Sequence, residues 1–87
     1  MEKSIYTTQQ KRLKELLRQL RGEAGLRQID MAERLGVPQS FVSKYESGER
    51  RLDILELRAV CVALRISLEE FARRLDEVLS DLPGQES

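Results

Sequence analysis

Apolar residues recur at helical spacing along most of the chain, and the spacing with its punctuation predicts five helices. Leu13, Leu16, Leu17 and Leu20 stand at i, i+3, i+4 and i+7, one stripe of a helix running from about Thr8 to Arg21 or Gly22. Thr7-x-x-Gln10 has the form of a capping box at its start, and Gly22 and Gly25 supply the stop. A second, shorter helix is predicted over Gln28 to Leu35, with Ile29, Ala32 and Leu35 inward. It ends at Gly36, whose missing Cβ permits the left-handed conformation. Val37 then drops into the core, and Pro38 opens the third helix at its first position, where a missing N–H costs nothing. That helix reaches about Ser47 with Val42 and Tyr45 inward, which puts Gln39, Ser40, Ser43 and Lys44 towards the exposed side.

Gly48 ends the third helix, and Glu49-Arg50-Arg51 form a charged loop before Asp53-x-x-Glu56 opens a fourth as a second capping box. Leu57, Val60, Cys61 and Leu64 make its stripe. Ser67-x-x-Glu70 opens a fifth in the same way, with Leu68, Phe71, Ala72, Leu75, Val78, Leu79 and Leu82 inward. No period-two pattern competes, so the fold class is all-α. The last stripe is longer than a five-helix core of this size needs. Leu75, Val78, Leu79 and Leu82 are therefore expected to be exposed in a monomer and to serve as a dimer interface. The expected organisation is an N-terminal arm over 1–7, one domain over 8–79 and a flexible tail over 80–87.

Composition narrows the function. A chain of 87 residues is one small domain, and a domain that short buries only about 60–65% of its unfolded surface. Little room remains for an enclosed active site, which favours work done at the surface. Histidine is absent and Cys61 stands alone, so disulfides, Cys/His zinc sites and histidine-assisted nucleophiles are excluded; no metal, cofactor or small-molecule ligand is expected. No apolar run reaches the length of a membrane span and MEKSIYTTQQ lacks the apolar stretch of a signal peptide, which makes the cytoplasm the expected location.

The total charge is zero, with 15 Lys+Arg against 15 Asp+Glu, but it is unevenly distributed. Residues 1–51 carry 11 cations and 7 anions, or +4; residues 52–87 carry 4 and 8, or −4. A cationic half suits a phosphate backbone, although ordinary solvated helix faces account for the same numbers.

The order of the pieces carries a resemblance. Leu26-Arg27-Gln28, Met31-Ala32-Glu33-Arg34-Leu35-Gly36-Val37, Gln39-Ser40, Val42-Ser43 and Tyr45-Glu46-x-Gly48 follow one another with the spacing of the lambda repressor/Cro-like, or XRE, family of helix-turn-helix regulators. The similarity covers about Leu13 to Leu75, the helix-turn-helix lying at about 27–47. It implies a five-helix DNA-binding domain in which helix two crosses the backbone of double-stranded DNA and helix three enters the major groove.

Gln39, Ser40, Ser43 and Lys44 match family positions that reach base edges, and Phe41 sits between them either against a thymine methyl or shielding the helix. Arg27, Gln28, Arg50 and Arg51 match positions along the sugar-phosphate backbone, Gln28 also bracing Gln39. Arg21 and Glu46 match a structural ion pair, and Cys61 stands where alanine is usual, as a small buried hydrophobe. Two departures are Arg65, where many relatives have the glycine that ends helix four, and Pro38 in place of a polar cap.

The resemblance therefore implies a homodimeric, sequence-specific regulator of the bacterial or phage repressor kind, in place of an enzyme. The competing reading is a protein-interaction module of antitoxin or anti-regulator type that uses helix five, with DNA binding secondary. Catalysis by Asp76 and Glu77 is disfavoured because adjacent helix positions point apart.

Overall fold

The computed structural model describes the backbone of residues 2–80 and the side chains of residues 7–80. Leu82 and the 81–87 part of the expected tail lie outside the described residues. The described residues form five α-helices: α1 (Glu2–Glu23), α2 (Gln28–Leu35), α3 (Gln39–Ser47), α4 (Ile54–Leu64) and α5 (Leu68–Leu79). There are no strands among the described residues. α1 packs on α3 and α5, α2 on α3 and α4, and α4 on α5. Leu16, Leu17, Leu20, Met31, Val42, Tyr45, Val60, Cys61, Leu64 and Phe71 fill the shared core.

Helix ends follow local chemistry more often than not. The Asp53 carboxylate accepts from the Glu56 amide at 2.7 Å while the Glu56 carboxylate accepts from the Asp53 amide at 2.9 Å, closing the capping box of α4. Ser67 accepts from the Glu70 amide at 2.9 Å, but Glu70 does not reach back, because Arg73 takes both of its oxygens. Gly36 adopts φ 71° and donates to the carbonyls of α2's last turn, with the Val37 amide on Ala32 O at 3.1 Å. Arg65 takes the same left-handed conformation at φ 65° where a glycine would be unstrained, alone among the described non-glycine residues.

Four expectations need correction. α1 begins at Glu2, not near Thr8, so residues 2–7 continue the helix in place of a separate N-terminal arm and Thr7–Gln10 lie inside it. Nothing in Glu2–Tyr6 breaks a helix, and a threonine caps only where the chain leaves helical geometry. Pro38 is the residue before α3 and not its first turn, with ψ 155° outside the helical range.

Ile29 is 38% exposed whereas Met31 is fully buried, because the inward stripe of α2 is Gln28, Met31, Ala32 and Leu35 with a polar residue at its first position. On α5, Leu75 and Val78 pack against the chain's own core and Leu79 is half-buried, while Ala72, expected inward, is exposed. The large exposed apolar side chains lie elsewhere, at Ile29 and at Ile54, Leu55 and Val62 of α4.

Candidate nucleic-acid interface

The geometry of α3 is set by what holds its inner face. Val42, Tyr45 and Glu46, at i, i+3 and i+4, are all buried. Phe41 sits half-buried beside them, edge-on to Tyr45 with ring centroids 5.8 Å apart. Rotating away from that anchored side by helical steps leaves Gln39, Ser40, Ser43 and Lys44 on one face, and all four are exposed. Ser47 continues the same face at the C-terminal end.

Glu46 is the unusual member of the inner face, a carboxylate with only 1% of its side chain exposed. Arg21 of α1 donates to both of its oxygens, Nε to Oε2 at 2.7 Å and Nη2 to Oε1 at 3.0 Å, and also donates Nη1 to Leu26 O at 2.8 Å. Gln28 donates Nε2 to Glu46 Oε1 at 3.0 Å, and Gln39 in turn donates to Gln28 Oε1 at 3.3 Å. A buried ion pair is thereby continued to the first residue of the exposed face, and no buried side-chain polar atom among the described residues is left without a partner. The Glu46 contacts raise the Arg21 pKa, and burial followed by the Glu46 charge pushes the Tyr45 phenol well up. The structure thus brings together Arg21 with Glu46 and Gln28 with Gln39.

The cations picked from the sequence for the DNA backbone are differently disposed. Arg27 is exposed but held by Asp30, whose carboxylate accepts from Arg27 Nε at 3.0 Å, Nη2 at 2.9 Å and the Arg27 amide at 2.8 Å. The guanidinium, then the backbone N–H, bring the Asp30 pKa down to about 2. Arg50 makes a bidentate pair with Glu56 at 3.1 and 2.7 Å and lies over the Phe41 ring at 4.5 Å. That stacking packs the loop after α3 against the Phe41 ring. Arg51 is exposed in the same loop.

Several cations of the N-terminal half serve the fold, which the charge count alone did not reveal. Arg12 donates to Val78 O at 2.7 Å, Arg34 to Ala63 O at 2.7 Å and Lys14 to Ser47 O at 3.4 Å. Each places a positive group on a carbonyl in the last turn of another helix, where the backbone acceptors are unpaired and the helix dipole is negative. With Arg21, Arg27 and Arg50, at least six of the eleven cations in residues 1–51 are engaged internally. The residue-type signal was present, since each stands where a cation is favoured, but its partner carbonyl is distant in sequence.

Two short helices joined through a left-handed glycine, the first braced on the second and the second presenting a polar face, make this a helix-turn-helix protein. The helix-turn-helix family is matched over residues 17–71. Among solved structures, an XRE-family like protein from Pseudomonas syringae pv. tomato str. DC3000 is similar, with 38% identity, a TM-score of 0.79, and coverage of 87% of this chain and 93% of that one. No curated protein sequence is matched. The chain belongs to the XRE-type helix-turn-helix family of DNA-binding regulators. No helix among the described residues is long and apolar enough to cross a membrane.

Proposed function

We infer that the protein is a sequence-specific regulator of transcription, a repressor, that binds double-stranded DNA in the cytoplasm as a homodimer with α3 in the major groove. The observation that carries this reading is the exposed face of Gln39, Ser40, Ser43 and Lys44 on a helix whose other side is fully anchored. Glutamine suits the adenine edge, lysine the guanine O6/N7 edge and serine either, and a rigid helix holds them in one orientation. Two copies place two such faces about 34 Å apart on successive turns of the duplex.

Backbone contacts are assigned to Arg27, Gln28, Arg50 and Arg51. Arg27 and Arg50 already hold carboxylates, so a phosphate there either shares the remaining N–H donors or displaces Asp30 or Glu56. Gln28 contributes mainly by fixing Gln39. The alternative, an interaction module built on distal α5, is weakened by the packing of Leu75 and Val78 on the chain's own core.

Selection of bound duplexes from a random pool is the test, and an enriched, two-fold symmetric site is the expected result. Within that site Lys44→Ala should relax preference at one base position by about 1–3 kcal/mol. Arg51→Ala should weaken all duplexes alike. Recovery of no enriched sequence, together with equal effects of both changes on specific and random duplexes, would remove the regulator reading.

A further inference from the structure

α1 carries a second cationic feature that the reading above does not use. Lys11, Lys14 and Arg18 stand at i, i+3 and i+7 and so share one face of the helix. Lys11 and Arg18 are exposed, and Lys14 is half-buried. Together with Glu15 they line an open groove whose other wall is Glu46 and Ser47 of α3. The Lys14 ammonium, 3.4 Å from Ser47 O, ties the stripe to the end of the helix whose exposed face holds the base-reading candidates. That contact occupies one of three ammonium donors.

We propose that this face of α1 is a DNA-backbone track, with Lys11, Lys14 and Arg18 neutralising phosphates that flank the segment read by α3. The proposal rests on the DNA-binding reading and extends it to a different element. Charge supports it: the groove holds three cations and Glu15, a net +2, because the Glu46 charge is buried and matched by Arg21. Lys11 and Arg18 are exposed and, like Lys44 of the base-reading face, have no described carboxylate or carbonyl partner, as expected of groups whose counter-charge comes from outside. Seven residues of helix span about 10 Å, the axial length over which one strand of a duplex presents about three phosphates.

The test compares salt dependence of binding for the full chain and three variants on the selected duplex. Lys11→Ala/Lys14→Ala/Arg18→Ala should lower the slope of log affinity against log salt by about 2–3, near 0.9 for each lost phosphate contact, on specific and random duplexes alike. Glu15→Gln should raise affinity at low salt. Arg58→Ala/Arg65→Ala removes two exposed cations, one on α4 and one just after it, and should leave the slope unchanged. Trimming the duplex to the core half-sites should abolish the difference between wild type and the α1 variant. An unchanged slope for the α1 variant, or an equal fall for the α4 variant, overturns the track while leaving base reading by Lys44 intact. Loss of Lys44 dependence would instead strike the underlying DNA-binding reading.

Discussion

Replacing Glu46 with methionine removes the acceptor at the centre of the Arg21–Glu46–Gln28 network. The Arg21 side chain, only 17% exposed, would keep Leu26 O as its sole described acceptor. Stranding one member of a fully buried pair costs about 3–5 kcal/mol, and the partial exposure of Arg21 brings the expected loss to about 2–4 kcal/mol. A domain of this size has a stability of roughly 4–12 kcal/mol, so the variant gives up a large share of it. Urea unfolding followed by circular dichroism measures the effect, and with a slope near 1 kcal/mol/M the midpoint should fall by about 2 M or more. Arg21→Met/Glu46→Met leaves no stranded charge and should recover at least half of the loss. As a contrast, Glu77→Gln disrupts an Arg73 pair whose side chains are 56% and 59% exposed and should leave the midpoint nearly unchanged, because solvent screens it. A Glu46→Met cost no larger than the Glu77→Gln cost, or a double variant as damaging as the two singles summed, would refute the reasoning.

Three further outcomes follow from single positions. Arg65→Gly relieves a left-handed backbone and should stabilise the fold by about 0.5–1 kcal/mol, a rise of a few degrees in Tm by calorimetry; an unchanged or lower Tm contradicts the strain. Asp30 has its carboxyl lowered from 3.8 to about 2 in the folded chain, so its contribution is complete above pH 4 and is lost as the pH falls towards 2. Stability measured against pH should therefore fall less steeply through that window in Asp30→Asn than in wild type, and parallel profiles would count against the Arg27 contact. Cys61 is fully buried, and burial raises its thiol pKa, so alkylation should proceed only on unfolding; rapid labelling of the native chain would contradict the packing.

Much of the architecture was legible locally. Capping residues at Asp53 and Ser67 and the glycine stop at Gly36 act over three or four residues, so a short stretch of chain already contains both partners. The exposed face of α3 was legible for the same reason, since Val42 and Tyr45 mark its inner side. The inward side of α2 was misread because its stripe starts with Gln28, whose burial makes sense only once Glu46 stands opposite it. The start of α1 was misplaced because a capping-type pair has no effect inside a continuing helix. That Leu75 and Val78 of α5 reach the core was not legible, because only docking on α1, with Arg12 holding Val78 O, shows how far the core extends.

Read alone, the order of amino acids determined five helices, their approximate ends and which short helix offers a polar face, because each depends on neighbours within a few residues. Tertiary structure decided which charges are available to a ligand. Arg12, Arg34 and Lys14 meet carbonyls 66, 29 and 33 residues away, and Arg21 meets Glu46 25 residues away. Electrostatic attraction acts on distance in space and not on separation along the chain, so a charge count could locate cations but not separate those that close helix ends from those left exposed.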